Sequence, residues 1–253
     1  MFDAIIKKIV RVPRLEKFSR YLFIGPHPDD IETACAPTVK KLTDAGKEVV
    51  FLVATDGRMG AIDPALEGDA LIAIRQGEAR ASAKLLGVDR VVFLPFVDGG
   101  MYSVEELAAE LSRQIVQIRP EAVFAPDPDV ISECHADHIK TGLAAKMSMN
   151  MAPYLPIMRT LEQTECWQPK ALTFYYTDRP NAYVAIRQTF PCREKAMLLH
   201  KSQFTKEFVK QICLYYKLRS IRFGIRRLKG KCDGYRALAP VHMHCFPEAS
   251  HWK

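Results

Sequence analysis

The first 150 residues alternate between short apolar runs and longer amphipathic stretches, and this rhythm constrains the fold more than any other feature of the chain. The apolar runs lie at 21–25, 49–54, 91–94 and 122–125. Between them, 31–45, 69–87, 103–119 and 137–150 carry apolar residues at three- and four-residue intervals, the spacing of one helix face. Gly46 follows the first stretch, where a helix is expected to stop. Strands apolar on both faces and separated by helices make βαβ units, so the expectation is an α/β fold: a Rossmann-like, mostly parallel sheet flanked by helices. After Pro153 the rhythm loosens. Strands are expected at 172–176 and 183–187, helices at 191–203 and 205–222, and a closing strand or loop at 239–246. With 253 residues, the chain is expected to form one domain: a basic N-terminal extension (1–20), a core (20–150) and a C-terminal elaboration (151–253).

Composition excludes several classes. No segment approaches the roughly 18 uninterrupted apolar residues of a membrane span. The net charge of +7 is concentrated in 206–231, which holds nine Lys or Arg against one acid, Glu207, while the remainder is close to neutral. Seven cysteines, odd in number and never spaced C-x-x-C, argue for reduced thiols rather than a disulfide framework. The start of the chain is basic, but Lys7, Lys8 and Arg11 interrupt its apolar stretch, and no signal peptide is expected. Together these features predict a cytoplasmic protein.

Two motifs carry the chemistry. Pro26-His27-Pro28-Asp29-Asp30-Ile31-Glu32 follows the first expected strand, and Pro126-Asp127-Pro128-Asp129 leads from the fourth into His135-Ala136-Asp137-His138. In an open parallel sheet the C-terminal strand ends share one edge, so topology brings together segments over a hundred residues apart. His27, Asp30 and His138 then supply two imidazoles and a carboxylate, the donor set of a zinc site that keeps a position open for water. Asp29 is the candidate general base. His135, paired with Asp137, is expected to be a cation that stabilises an oxyanion or protonates a leaving amine. Aspartates at a helix start also cap it, and that role can coexist with catalysis.

The combination resembles the PIG-L/LmbE-like deacetylases, zinc enzymes that remove the acetyl group from N-acetylglucosamine units on a carrier. The resemblance covers about residues 20–150. It implies Zn2+, or another divalent transition metal, on His27, Asp30 and His138, and an N-acetylated amino-sugar conjugate as substrate. Arg75, in Arg75-Gln76-Gly77-Glu78, is similar in position to an arginine the family uses near the sugar. Asp98-Gly99-Gly100-Met101 resembles a loop near the substrate, and His244 is similar to a late histidine lining the pocket. The chain departs from the family at Cys35-Ala36-Pro37, where a Gly-Gly pair is common, and at Thr55-Asp56-Gly57-Arg58, where a glutamate is common.

Two other readings remain open at this level: a zinc hydrolase of a different amide or ester, and a basic protein with a structural metal that binds a membrane or nucleic acid. A structural zinc would need a fourth side chain that the sequence does not supply, which disfavours the second reading and nucleic acid with it. The basic 206–231 segment fits a solvated helix face or a homo-oligomer contact. With the amphipathic start Ile5-Ile6-Lys7-Lys8-Ile9-Val10 it also fits a peripheral contact with the inner membrane surface.

Overall fold

The structure is a computed structural model that describes residues 10–228, 230–244 and 246–252. Most of the amphipathic start, together with Lys229 and Cys245, therefore lies outside the described residues. The expected α/β rhythm is present: β1 (Arg20–Gly25), α1 (Asp30–Asp44), β2 (Glu48–Thr55), α2 (Gly68–Leu85), β3 (Arg90–Phe96), α3 (Val104–Ile118), β4 (Ala122–Pro126) and α4 (Ala136–Met151). Then follow α5 (Leu155–Thr160), β5 (Ala171–Tyr175), β6 (Ala182–Ala185), α6 (Cys192–Met197), α7 (Lys206–Arg227) and β7 (Cys232–Leu238). The sheet order is β3-β2-β1-β4-β5-β7-β6, parallel from β3 to β5, with β7 antiparallel to both its neighbours.

Alternate residues of β1 feed two cores, one on each face of the sheet. Tyr21 and Phe23 pack with Phe51, Phe124 and Val39, while Leu22 and Ile24 pack with Leu52, Leu107, Leu111 and Ile115. Two-sided burial is why these strands are apolar throughout rather than alternating.

The C-terminal half differs from expectation in two places. The closing strand is β7 at 232–238, and 239–246 instead contains a 3-10 turn, Pro240–Met243. β7 escapes a hydrophobic scan because it buries polar groups. Asp233 pairs with fully buried Arg193 at 3.0 Å and accepts from Thr38 Oγ1 at 3.0 Å. The expected helix at 191–203 is only α6, six residues long. Among the described residues no helix is long and apolar enough to cross a membrane.

Candidate active site

Strand order reverses between β1 and β4, and the crevice at their C-terminal ends is where such sheets bind ligands. His27 leaves β1 just before α1, and His135 and His138 flank the start of α4. Gly142 lets α4 approach that edge. A Cβ there would lie 2.6 Å from the Pro126 carbonyl oxygen and 2.8 Å from the Pro128 ring, so the helix carrying His138 packs directly on the loop after β4.

The donor atoms of His27, Asp30 and His138 lie within 4.8 Å of one another. Asp30 bridges the two rings: Oδ2 is 3.2 Å from His27 Nδ1 and accepts from the His27 backbone N–H at 3.0 Å, and Oδ1 is 3.4 Å from His138 Nε2. The remaining ring nitrogens are held by other carboxylates. His27 Nε2 lies 3.1 Å from Asp137 Oδ2 and 3.2 Å from Asp98 Oδ1, and His138 Nδ1 lies 3.0 Å from Glu133 Oε2. A metal-ligating histidine characteristically donates its second N–H to a carboxylate, so this donor set fits a divalent cation on its distal as well as its proximal side. His27, Asp98, His135 and Asp137 also converge within 4.8 Å. In that group, however, His135 Nδ1 already accepts the Asp137 backbone N–H at 3.3 Å.

Charge is balanced inside the cluster. Burial alone would lower the His27 pKa, but Asp137, Asp30 and Asp98 raise it well above the usual imidazole value. His138 is opposed by burial in the same way, yet Asp30 and Glu133 push it up to about 9. Asp30, despite a burial cost that acts upward, is held well below the carboxylate range by His138 and His27. The metal-free cluster therefore carries protons that a bound cation would displace.

Asp29 stands at the N-cap position of α1 without making a side-chain cap, so the expected capping role does not occur. Its backbone adopts φ 156° and ψ −20°, a sparsely populated conformation of the kind that collects at functional sites. The carboxylate meets Arg75 Nη2 at 3.0 Å. Burial raises the Asp29 pKa to about 6, with Arg75 opposing the rise, which poises it near neutrality as a proton acceptor. Arg75 is a buried partner of Asp29, and its Nη1 donates to the Gly57 carbonyl at 2.8 Å.

His135 and Asp137 differ from expectation. Asp137 is fully buried and engages His27 and the Gly99 N–H (2.9 Å), whereas its nearest approach to His135 is 3.7 Å. Partial burial, with His27 and His138 nearby, lowers the His135 pKa, and its Nδ1 accepts a hydrogen bond. The geometry is that of a neutral imidazole with its proton on Nε2 rather than an imidazolium held by Asp137.

His27, Asp29, Asp30, Arg75, His135 and His138 line a cavity of about 410 Å³, whose wall is completed by Asp98, Tyr176 and α7 residues such as Phe208 and Ile212, with Asp137 buried behind it. His244 is elsewhere: it follows the Pro240–Met243 turn and lines a separate cavity with Met147 and Tyr154. His242 is a packed histidine whose Nδ1 accepts from the Ala239 N–H at 2.9 Å and whose ring meets Trp252. Sequence reasoning missed Tyr176, whose ring stacks on His138 at 5.9 Å. It also missed a fully buried Glu32–Ser82–His200 network, in which His200 Nε2 lies 3.3 Å from Glu32 and 3.2 Å from Ser82. Tyr176 directly follows β5, and the strand-end argument that found His27 would have found it.

The family model for PIG-L, GlcNAc-PI de-N-acetylase, matches residues 22–149, the span that supplies every member of the histidine–carboxylate cluster. The chain belongs to the PIG-L family. It is 31% identical to the diacetylchitobiose deacetylase of Thermococcus kodakarensis, over 98% of this chain and 94% of that one. It is 27% identical to the 1D-myo-inositol 2-acetamido-2-deoxy-alpha-D-glucopyranoside deacetylase of Kineococcus radiotolerans, over 57% of this chain and 48% of that protein. Among solved structures, the N,N'-diacetylchitobiose deacetylase of Pyrococcus horikoshii superposes with a TM-score of 0.88 at 29% identity, covering 97% of this chain and 94% of that one. Like other members of the PIG-L family named for deacetylation, the chain is a hydrolase of carbon–nitrogen bonds other than peptide bonds.

Proposed function

We propose that this protein is a zinc-dependent N-deacetylase acting on an N-acetylglucosamine-type conjugate, with His27, Asp30 and His138 as the metal ligands. The observation that carries the reading is the polarised donor set itself, in which both histidines have their distal nitrogens held by carboxylates and a buried Asp29–Arg75 pair stands alongside. A divalent cation on these ligands would acidify a water molecule and polarise the acetyl carbonyl. Asp29 accepts the water's proton at its carboxylate, fixed in place by Arg75. His135 donates from Nε2 to the carbonyl oxygen as negative charge develops there, a contact that strengthens as the oxygen becomes anionic. Asp137 orients His27 from behind the cavity, and Asp98, which also lies in the cavity wall, holds the same ring nitrogen. The amine leaves with the proton that Asp29 collected, closing the cycle.

The outward face of α7 exposes Leu214, Tyr215, Leu218 and Ile225. That apolar surface supports a homo-oligomer contact, and its flanking cations support a peripheral membrane contact in a cytoplasmic protein; sedimentation alone and with anionic vesicles separates the two. The function is tested by mass spectrometry of acetate release from N-acetylglucosamine conjugates, with and without chelator. Release that chelator abolishes and zinc restores is expected, and chelator-insensitive release would overturn the metal assignment.

A further inference from the structure

A second cavity of about 790 Å³ adjoins the catalytic one, and Tyr176 lines both. We propose that it is a carrier subsite selecting amino-sugar conjugates that bear a phosphate group, gripped by Arg219 and Arg222. This inference rests on the deacetylase reading and names the substrate class of that site.

Tyr176 is the dividing wall. It sits just past β5 at the same sheet edge as the cluster, with φ 56°, a left-handed conformation strained for an aromatic residue. Its ring lies parallel to His138, 4° between planes, and its hydroxyl is 3.4 Å from Asp30 Oδ1. A group attached to the sugar that passes this ring enters the second cavity.

The walls there have a definite chemistry. Tyr183, Tyr216 and Phe223 line it with rings already covered on one face by Arg227, Arg193 and Arg219, and Arg179, Arg219 and Arg222 share the wall with a single carboxylate, Asp178, which Arg179 engages at 3.3 Å. Arg219 is immobilised by donating to the Thr177 carbonyl at 2.7 Å and lying over Phe223 at 4.8 Å, with further N–H donors unspent. Arg222 is exposed and forms no ion pair with a described residue. Two guanidinium groups beside aromatic faces recognise phosphate bidentately, and a neutral carrier would leave that positive charge unused. The residues that build this cavity lie between 130 and 223, mostly beyond the 22–149 span of the family model, so the selectivity is a property of this chain's C-terminal part.

The test compares kcat/KM of the zinc-loaded full chain for methyl N-acetylglucosaminide, diacetylchitobiose, N-acetylglucosamine 1-phosphate and UDP-N-acetylglucosamine. The phosphate-bearing substrates should be favoured about tenfold or more, through KM, as expected of one charge-assisted contact. High salt and Arg219→Gln/Arg222→Gln should each erase that ratio. A preference confined to the nucleotide sugar would place the phosphate beyond the first linkage, and one shared by the 1-phosphate would place it at that linkage; either supports the subsite. Neutral substrates favoured, or a ratio unchanged in the double variant, would overturn it. Should no substrate lose acetate, the deacetylase reading fails. Calorimetric titration of glucosamine 1-phosphate still decides the subsite then: binding weakened about tenfold in the double variant supports it, and equal or absent binding overturns it.

Discussion

Gly57→Ala is a small change aimed, through Arg75, at Asp29, the base proposed for the reaction. Gly57 has φ +70°, so an alanine there bears a left-handed backbone cost of roughly 1–2 kcal/mol. For a chain of this size that cost lowers Tm by roughly 2–8 °C. The added Cβ would also sit 2.9 Å from Arg75 Nη1 and 3.0 Å from its Cζ and Nε. The guanidinium must retreat by about half an ångström to regain ordinary contact, and it is buried and anchored on both sides, to the Gly57 carbonyl and to Asp29. Asp29 is displaced with it. Misplacing a catalytic group by a fraction of an ångström costs about tenfold in rate.

A double-mutant cycle with Arg75→Ala separates the two effects, because Arg75→Ala removes the clashing atoms and leaves the backbone cost untouched. Gly57→Ala should lower Tm by a similar amount in both backgrounds. It should lower kcat/KM about tenfold only where Arg75 is present, Arg75→Ala being already slow. The same factor of loss in both backgrounds would refute the reasoning, as would a lowered Tm with unchanged activity when Arg75 is present.

The other expectations concern separate parts of the site. Asp29→Asn should retain metal, measured by atomic emission, while losing about 10²–10⁴-fold in turnover; undiminished turnover would move the base elsewhere. His27→Ala and His138→Ala should strip the metal, whereas His135→Ala should keep it and slow the reaction, and equal metal loss in all three would contradict this division. Asp137→Asn should weaken metal affinity about 10–100-fold through His27, and an unchanged dissociation constant would show that Asp137 does not orient that ring. His200 gives a pH dependence: burial lowers its pKa, but Glu32, Asp29 and Glu78 raise it above the usual imidazole value. The stability it adds is therefore full below about pH 6.5 and declines as pH rises through the folded-state value. The Tm difference between the native protein and His200→Gln should shrink from pH 6 to pH 9, and a constant difference would disprove the linkage.

The parallel half of the fold was legible because β1, β2, β4 and β5 are buried on both faces and read as unbroken apolar runs, with only the edge strand β3 partly exposed. β7 was not legible for the opposite reason. Its Asp233 and Arg236 are buried, and they stay inside because Arg193 pairs with Asp233 and Asp129 lies 3.5 Å from Arg236. No pattern of apolar residues reports a strand whose interior is ionic. The membership of the site was legible in the same uneven way. His27, Asp29, Asp30 and His138 follow from motif and strand-end position. Tyr176 and Phe208 lie on elements that were expected, at 172–176 and 205–222, but no motif marked either as reaching the cavity.

Roles within the site were harder to read than membership, and His27 shows why. The motif reading took Asp137 as the partner that keeps His135 charged, but helix geometry does not favour that contact: residues two apart do not face each other. At the first turn of α4 the side chain of Asp137 instead meets the ring leaving β1, 110 positions earlier. The consequence is a change of chemistry, since the carboxylate expected to hold a positive charge on His135 holds the distal nitrogen of His27. His135 is left half-exposed at the cavity with its pKa lowered by partial burial and by His27 and His138, which suits the hydrogen-bond donor role proposed for it. The motifs marked His27, His135 and Asp137 as candidates, and only the crossing of two βα loops at one sheet edge determines which of them lie together.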